Sequence, residues 1–567
     1  MISEYIEKLL RYGKEKLFLP AENLNYARNR LIRLTECSEY ERVSGKVTVP
    51  GSFEQAVSPI LSYVLDKGLV RECEAEDFSC ALADAVMPDP FEYRKLLSAL
   101  QPEERMAFAA RFARESGYVK SGENLRWKAE NTKGRLIVTV NTTKPEKDNK
   151  ATEKALEKEA PGYPRCDICA ECEGFGRQGA NRQNLRIMPM KLCGENWFWQ
   201  FSPYMYFREH GIAVSEAHTP MRTDKKTVAQ LLDFVSEYPF YFIGCNAALP
   251  RVGGSILTHR HFQGGRERMP IFDAPVFWMK KDGKYTGCEK TAFAFPLRGE
   301  TENEGALSSF YLRQDTCYYK ETSSGDEVDE GIADWYNSVI CLRSENKDAL
   351  TERAAAIIDV FENYSDENAD IIARSGDKQH NAVSVTALNS GWKFTLYLIL
   401  RNNRTDALYP EGIFHAHPRY HALKKEAIGL IEAMGYFILP GRLEKELAQA
   451  ALFMEKGGFR ISELPAELVK FTDMFESIDR SERSGRETTP SGRATREERT
   501  NEGSNHGDDR GEKLFTPPLP AAAATEKIKD YIGHACEGIL CDTAIFKNDG
   551  KGRAAFMRFM KEAGIIS

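Results

Sequence analysis

A glycine-bracketed stretch at 253–265 carries the residues best suited to chemistry. His259, His261 and Gln263 are each separated by one residue, and side chains two positions apart on an extended strand project to the same face. The flanking glycines would allow a phosphate group or a ligand backbone to approach closely. Three polar groups on one face of an otherwise apolar strand cost free energy if nothing binds them. The stretch therefore predicts a ligand site built on two imidazoles and an amide.

A second candidate site begins at Cys166 and Cys169, which are separated by two residues. Two thiolates at this spacing can bind one tetrahedral metal ion. The same motif can also be a redox pair, or it can have no special role. A complete metal site would need two more ligands from elsewhere in the chain. The candidates are His218 and His259, with Cys172 and His210 as rivals.

Two further polar features are candidates for contacts with a substrate. Arg182 and Asn184 lie in an Arg-Gln-Asn-x-Arg run, whose forked donors suit a phosphate group or the edge of a uracil ring. The alternative is the exposed start of a strand. Asn246 ends an apolar run that begins at Phe240 and is typical of a buried strand, which would deliver its amide to the glycine-rich stretch. Taken alone, such an asparagine is more often a turn residue.

A second His-x-His pair occurs at His415 and His417, after an alternating strand pattern at 393–404. His380 stands in front of that strand. The three histidines are candidate ligands of a second metal ion. Hydrogen bonds across the boundary between two domains explain them equally well, and the sequence identifies no fourth ligand.

The His-x-His-x-Gln motif at 259–263 resembles the active-site signature of the nucleotidyltransferase branch of the histidine-triad superfamily. The longer run from Asn246 to Gly265 is similar to the class II, mainly bacterial, galactose-1-phosphate uridylyltransferases. The resemblance is strong from Tyr163 to Leu443 and looser in the flanks. It implies an enzyme of galactose metabolism that works in two steps through a uridylyl-histidine at His261. The implied substrates are UDP-glucose and galactose 1-phosphate, and the products are glucose 1-phosphate and UDP-galactose.

The resemblance also implies roles for the residues around this nucleophile. Gln263 would donate its amide N–H to a nonbridging phosphate oxygen, and the carbonyl of His259 would fix the tautomer of the His261 ring. Glutamine cannot carry a proton, which suits an intermediate that waits for a sugar phosphate rather than for water. The implied substrate contacts are Asn246, Gly254, Ser255, Arg182, Asn184 and Arg442.

Related class I enzymes are similar around the Cys-x-x-Cys motif, where they hold a structural zinc ion, although class II sequences vary there. In the class I second half, histidines bind another metal. The superfamily is commonly dimeric, so the resemblance implies a homodimer. Carried over to this chain, the zinc ligands are Cys166, Cys169, His218 and His259, and the less favoured second metal falls at His380, His415 and His417.

The elements that must position these residues predict an α+β fold. The resemblance implies two histidine-triad-like halves with mainly antiparallel sheets, flanked by an N-terminal, mostly helical region. Periodicity predicts a helix capped by Asp224 and an amphipathic helix from His421 to Met434. The predicted divisions are the N-terminal region at 1–145, a linker at 146–162, the catalytic half at 163–345, the second half at 346–478, a disordered insertion at 479–525 and a C-terminal tail at 526–567.

Composition narrows the class of protein. The net charge of −7 argues against a nucleic-acid partner. The chain shows no apolar run of about 18 residues and no signal-peptide core, so we expect no membrane association and a cytoplasmic location. The 13 cysteines are odd in number and dispersed, which is typical of reduced thiols rather than of a disulfide framework.

Two other functions are alternatives to the uridylyltransferase. A nucleotide-sugar phosphorylase or dinucleoside polyphosphate enzyme of the same superfamily would share the motif, and competition between hexose 1-phosphates and ATP-type acceptors would separate the two. A zinc-dependent nucleic-acid-binding protein built on Cys166 and Cys169 would need a basic face with aromatic stacking positions. The acidic net charge and the lack of compact Cys/His repeats count against it.

Overall fold

The computed structural model describes residues 2–41, 43, 48–120, 125–142, 162–177, 181–254, 256–281, 284–285, 327–391, 393–487, 514–515 and 518–566. Three predicted features therefore lie wholly or largely outside the described residues. They are the linker at 146–162, Ser255 and the middle of the segment at 479–525. No described helix has both the length and the apolar character that a membrane crossing would require.

The N-terminal region is mainly helical, as predicted. Helix α1 (Ile2–Lys16) buries Ile6, Leu9 and Leu10, because residues three and four positions apart share one side of a helix. Prolines begin the fifth and sixth helices, where a missing N–H group has no intrahelical partner to lose. The elements that follow α1 are α2 (Leu24–Leu34), α3 (Phe53–Asp66), α4 (Ala75–Ala85), α5 (Pro90–Ser98), α6 (Pro102–Glu115), β1 (Leu125–Asn131) and β2 (Gly134–Asn141).

The centre of the molecule is one sheet of eleven strands with antiparallel neighbours throughout. Its strands are β3 (Met188–Leu192), β4 (Glu195–Phe201), β5 (Gly211–Ser215), β6 (Phe242–Cys245), β7 (His261–Gly265), β8 (Val276–Lys281), β9 (Lys284–Tyr285), β10 (Asp329–Ala333), β11 (Val339–Ser344), β14 (Asn381–Asn389) and β15 (Phe394–Asn402). A separate hairpin contains β12 (Arg374–Ser375) and β13 (Lys378–Gln379). The spatial order is β3-β4-β5-β7-β6-β14-β15-β11-β10-β8-β9. Pairing of β6 with β14 therefore joins two groups of strands into one sheet, and the predicted α+β class is confirmed.

Two helices cover one face of this sheet. The helix α7 (Lys225–Glu237) begins as predicted, since the Asp224 side chain accepts a hydrogen bond from the Thr227 N–H. The helix α8 (Lys347–Asn363) packs against α7, and both contact β14. Strand β14 is buried at seven consecutive positions, because its other face is covered as well.

The C-terminal elements cover the second face and reach back to the N-terminal hairpin. Strand β16 (Tyr436–Pro440) pairs in parallel with β2, so the hairpin and the C-terminal part share a three-stranded sheet. The remaining elements are α9 (Leu430–Ala433), α10 (Arg442–Lys456), β17 (Phe459–Arg460), α11 (Ala466–Val469), α12 (Thr472–Glu487), β18 (Leu514–Phe515), α13 (Ala521–Asp542) and α14 (Gly550–Glu562).

Two predicted segments differ from the structure in their secondary structure. The helix predicted from His421 to Met434 is limited to the four residues of α9. The segment predicted to be disordered at 479–525 is helical at both ends, where α12 reaches Glu487 and α13 starts at Ala521. The predicted domain divisions remain predictions, although the sheet groups β8, β10 and β11 with β14 and β15 rather than with β3 to β7.

Candidate active site

A cavity of about 290 Å³ lies between the first strands of the sheet and the C-terminal elements. Strands β4, β5 and β7 contribute one wall, and the glycine-rich loop after β6 contributes another. The segment just before and within α9 closes the opposite side. Polar and charged residues that line the cavity are Asp167, Arg182, Gln200, Ser202, His210, Asn246, Arg251, His261, Gln263, Lys424, Glu426 and Glu432.

His261 is the first residue of β7, and its ring has a fixed tautomer. The distance from its Nδ1 to the carbonyl oxygen of His259 is 2.8 Å. A carbonyl oxygen can only accept a hydrogen bond, so Nδ1 carries the proton and Nε2 carries the lone pair. Burial lowers the pKa of His261, which keeps the ring neutral at pH 7. The cavity wall therefore contains a neutral imidazole whose lone pair is available for attack on an electrophile.

Gln263 follows on the same face of β7. His261 pairs with Val214 and Gln263 pairs with Ile212, and both side chains of β7 reach the cavity. The next residue, Gly264, has no side chain because a Cβ there would lie 2.2 Å from the carbonyl oxygen of Phe242. Close packing of β6 against β7 therefore fixes the strand that carries the nucleophile candidate and the amide.

His259 does not project with these two side chains. It precedes β7, and its Nε2 lies 2.8 Å from the carbonyl oxygen of Ser215, to which it must donate a hydrogen bond. Its Nδ1 therefore carries the lone pair, at 3.2 Å from the Sγ of Cys166 and 3.7 Å from the Sγ of Cys169. The prediction that all three polar groups share one face is wrong for His259, since the strand begins only at His261.

The donor groups of Cys166, Cys169, His218 and His259 lie within 4.8 Å of one another and could hold a metal ion. The two sulfur atoms are 3.3 Å apart, well beyond a disulfide bond of about 2.05 Å, and both thiols are free. The Nε2 of His218 is buried and has no hydrogen-bond partner among the described residues. Two thiols and two imidazoles with an unpaired nitrogen fit the donor set of a tetrahedral metal site.

Burial disfavours charge on the donor groups of this cluster. Burial raises the pKa of the Cys166 thiol to about 12 and lowers the pKa of His259 to about 4. Without a cation, Cys166 would therefore stay protonated, because a thiolate would be poorly solvated there. The rival ligands lie elsewhere: Cys172 contacts the Cys166 carbonyl oxygen through its Sγ at 3.3 Å, and His210 lines the cavity.

Three of the predicted substrate contacts line the cavity, namely Asn246, Gly254 and Arg182. The Asn246 Oδ1 accepts a hydrogen bond from the Leu430 N–H at 2.9 Å. This contact orients the amide and leaves its Nδ2 group as a donor beside Gly254, where an added Cβ would be 3.1 Å away. The loop after β6 and the start of α9 thus position one amide between them.

Two other predicted contacts are placed away from the cavity. The Nδ2 of buried Asn184 donates to the carbonyl oxygen of Ser116 at 3.1 Å. Arg442 pairs with Glu446 at 2.8 Å and also donates to a backbone carbonyl. Neither residue is part of the cavity lining, and the remaining prediction, Ser255, lies outside the described residues.

The histidines of the second half are not assembled into a metal site. His380 contacts the Oδ1 of Asn403 and the Oγ of Ser375, both at 2.9 Å. The Nδ1 of His417 lies 3.2 Å from the Oδ2 of Asp542. Throughout the part of the chain that the structure describes, the only group of three or more donors close enough to share an ion is the Cys166 cluster.

Sequence reasoning misses several cavity residues. Lys424 is buried and lies 2.8 Å from Glu432 and 3.0 Å from Glu426, but its surroundings depend on chain folding that no local pattern reveals. The sequence indicates His210 only as a rival metal ligand. One sequence pattern could have indicated that His210 lies in the cavity. His210 and Ile212 are two positions apart at the start of an apolar run, and residues at this spacing share one face of a strand.

No protein-family model matches the sequence. Galactose-1-phosphate uridylyltransferases of Caldanaerobacter subterraneus and Bacillus subtilis are each 32% identical to it, over 99% of this chain and 98% of theirs. The enzyme of that name from Halalkalibacterium halodurans is 33% identical over the same shares of both chains. The crystal structure of yeast Ap4A phosphorylase is 12% identical, covers 61% of this chain and 89% of its own, and has a TM-score of 0.28, which supports no argument. Because these similarities extend over nearly the full length of both chains, the chain belongs to the galactose-1-phosphate uridylyltransferase family.

Proposed function

We propose that the cavity transfers a uridylyl group between UDP-glucose and galactose 1-phosphate, with His261 as the nucleophile. The observation that carries this proposal is the 2.8 Å contact between the His261 Nδ1 and the His259 carbonyl oxygen. That contact places the proton on Nδ1 and the lone pair on Nε2, in the wall of a cavity lined by amide and guanidinium donors. The family relationship supplies the substrates, and the geometry supplies a group able to react with them.

The reaction follows from the fixed tautomer. In the first step Nε2 of His261 attacks the α-phosphorus of UDP-glucose, a P–N bond forms, and the bond to the bridging oxygen breaks to release glucose 1-phosphate. The ring becomes cationic, and the hydrogen bond from Nδ1 to the His259 carbonyl stabilises that charge. In the second step a phosphate oxygen of galactose 1-phosphate attacks the same phosphorus, and the P–N bond breaks. UDP-galactose leaves, and His261 returns to its neutral form without any proton transfer.

The other cavity residues neutralise and hold the phosphate oxygens. Gln263 is the nearest amide donor along β7, and the Nδ2 group of Asn246 points from the glycine-rich loop. Arg182 adds a guanidinium group, which suits phosphate oxygens in geometry and charge. Fixed donors of this kind stabilise a phosphoryl-transfer transition state because they need little reorganisation when charge develops.

We also propose that Cys166, Cys169, His218 and His259 bind a structural zinc ion. The buried, unpaired Nε2 of His218 supports it, as does the His259 tautomer that turns the Nδ1 lone pair toward the thiols. When bound, the ion would cross-link the Cys-x-x-Cys turn to the segment before β7. Because the carbonyl of His259 holds the His261 ring, this cross-link would position the nucleophile without touching the substrate.

The test of the proposed function is the mass of the intact protein after mixing with UDP-glucose alone. We expect a gain of one uridylyl group per chain, release of one equivalent of glucose 1-phosphate, and loss of the adduct when galactose 1-phosphate is added. Folded protein that gains no mass and releases no sugar phosphate would overturn the proposal. Homodimer formation, implied by the family resemblance, stays a prediction that light scattering after size-exclusion chromatography can test.

A further inference from the structure

One imidazole of the cavity has no role in the transfer described above. His210 lies immediately before β5, lines the cavity and is only 3% exposed. Neither of its ring nitrogens makes a hydrogen bond of normal geometry to a described residue, although the Gln263 side chain is near enough to interact with the ring. A buried polar atom that lacks a good hydrogen bond destabilises the protein unless a ligand supplies the partner. A ring of this kind in a cavity wall indicates that a ligand completes its hydrogen bonds.

The strand pairing places His210 close to the reacting groups. Ile212 pairs with Gln263, and His210, just before β5, is two positions from Ile212; both His210 and Ile212 line the cavity. Across the adjacent pair, Gln200 of β4 lies opposite Ile212 and also lines the cavity. The Oε1 of Gln200 is buried without a hydrogen-bond partner among the described residues. His210 therefore lies about 7 Å beyond Gln263 as counted along the strand from His261, and Gln200 lies level with Gln263 on the other side of Ile212.

The His210 ring is held rigidly in this position. Its backbone N–H donates to the Phe207 carbonyl oxygen at 3.1 Å, and its own carbonyl accepts from the Ser202 N–H at 3.0 Å. The ring stacks on Tyr206 with centroids 5.0 Å apart and an interplanar angle of 23°. The next residue is Gly211, where an added Cβ would lie 2.4 Å from the Trp199 ring. The ring contacts with Tyr206 and Phe207 therefore restrict the orientations that the His210 side chain can adopt.

The charge state of His210 indicates which kind of chemical group can bind to it. Burial lowers its pKa to about 3, and the neighbouring Gln263 side chain offsets only part of this effect. A neutral imidazole presents one donor and one acceptor, and the amide of Gln200 also presents both. Phosphate oxygens only accept hydrogen bonds, so they suit Arg182 and the Asn246 amide better. A hydroxyl group donates and accepts at once, which matches a neutral imidazole beside an amide oxygen.

We propose that His210, together with Gln200, binds a hydroxyl group of the sugar in the substrate. This inference rests on the proposed uridylyl transfer. The hydroxyl can belong to the hexose attached to the reacting phosphates or to the ribose of the uridine, since both carry the same chemistry. His210 acts as a specificity-determining residue, and it takes no part in bond making or breaking.

The experiment compares His210→Ala with the wild-type protein on substrates that lack single hydroxyl groups. One arm uses deoxyhexose 1-phosphates as acceptors, and the other uses UDP-glucose with a deoxyribose. With the complete substrates we expect His210→Ala to lower kcat/KM about 10- to 100-fold, because removing a buried hydrogen-bond partner costs about 1–3 kcal/mol. On the analogue that lacks the contacted hydroxyl, the variant and the wild-type protein should agree within about threefold.

Matched variants keep this test decisive. His210→Gln retains a neutral donor and acceptor and should recover most of the kcat/KM that His210→Ala loses. If His210→Ala does not fold, Gln200→Leu provides the same comparison, since it removes the second unsatisfied group. The arm in which the difference disappears identifies the sugar as the hexose or the ribose.

Two results would overturn the inference. Equal losses on every analogue would show that His210 has a purely structural role, and an unchanged kcat/KM on all substrates would show no contact. In both cases His210→Ala would still form the uridylyl adduct with UDP-glucose, so the proposed function would stand. Absence of the adduct in the folded wild-type protein would instead overturn the proposed function and, with it, the inference.

Discussion

The molecule contains two His-x-His pairs, and the structure uses them in different ways. In the first pair, the ring of His259 faces two thiols while the ring of His261 lines the cavity. In the second pair, His417 stacks on Tyr409 with centroids 4.2 Å apart and contacts Asp542 through Nδ1. The Nε2 of His417 also lies 3.1 Å from the carbonyl oxygen of Ile413. Both nitrogens of His417 are therefore engaged in internal contacts.

The difference arises from the backbone structure on the C-terminal side of each pair. After His261 the backbone continues as β7, which pairs with β5 on one side and β6 on the other. After His417 comes Pro418, and the chain enters a short 3₁₀ turn at Pro418–Tyr420. A strand paired on both sides fixes the backbone that carries His261, whereas the turn after His417 gives that residue no such support. In this molecule, two histidines one residue apart therefore mark a candidate reactive site only where the second histidine lies on a paired strand.

The largest expected effect is a difference in activity between alanine variants of the two His-x-His pairs. His261→Ala should abolish the uridylyl adduct and lower kcat by at least about a thousandfold, because it removes the proposed nucleophile. The matched change His417→Ala should leave kcat within about threefold. Intact-protein mass and a coupled assay for glucose 1-phosphate measure both effects. Adduct formation by folded His261→Ala protein would refute the assignment of the nucleophile.

A second comparison uses amides instead of imidazoles. Gln263→Ala removes a proposed donor to the reacting phosphate and should lower kcat about 100-fold, which is typical of losing one such donor. The control is Gln379→Ala in the second half, since that amide donates to the carbonyl oxygens of Glu362 and Asn381 away from the cavity. Its effect on kcat should be below about threefold. Similar kcat values for the two variants would argue against a role of Gln263 at the phosphate.

A third comparison uses the metal content of variants at Cys169 and His415. Cys169→Ser should remove about one equivalent of zinc per chain and lower kcat about 10- to 100-fold, because the His259 carbonyl would no longer be held firmly against His261. His415→Gln should leave the zinc content unchanged. Elemental analysis of the purified variants and kcat measured on the same samples test this. Wild-type protein without bound metal, or Cys169→Ser protein with full zinc, would contradict the zinc assignment.

The smallest expected effect concerns stability and pH. Burial lowers the pKa of His415 to about 4, so the unfolded chain binds a proton below pH 6.5 that the folded chain does not. This group therefore stabilises the fold above pH 6.5, and that contribution is lost as the pH falls toward 4. His415→Gln should reduce the loss of unfolding free energy between pH 7 and pH 4.5 by about 2 kcal/mol. Urea unfolding at the two pH values would show this, and an unchanged difference would contradict it.

Much of the first half could be predicted from local sequence. The shared face of His261 and Gln263, the Cys-x-x-Cys turn and the Asp224 cap each depend on neighbours within a few residues, and all three are found in the structure, whereas His259 does not share that face. The set of four metal-ligand candidates comes from the resemblance to related enzymes, because their spacing in sequence does not reveal that they meet. Their proximity depends on the pairing of β5 with β7, which sets Ser215 beside His259.

The misplaced elements depend on contacts between distant parts of the chain. The predicted helix from His421 starts only at Leu430, because the N–H of Leu430 donates to Asn246, 184 positions earlier. Burial of Lys424 between two carboxylates holds the preceding segment out of helical form. Asn184 and Arg442 have donor chemistry suited to a substrate, but partners within the protein use these groups. Local patterns cannot distinguish such internal use from ligand binding.

The pairing of β6 with β14, which joins the two strand groups, also affects how the sheet can pair with strands of other molecules. Two independent sheets would have four edge strands, whereas the single sheet formed by the described residues ends at β3 and β9. Edge strands can recruit strands from other molecules and so promote aggregation. Strand β3 carries Pro189, which cannot donate to an added strand, and an exposed Lys191. Among the described residues, joining the two strand groups thus leaves two sheet edges instead of four, and the residues on β3 make that edge a poor template for strand addition.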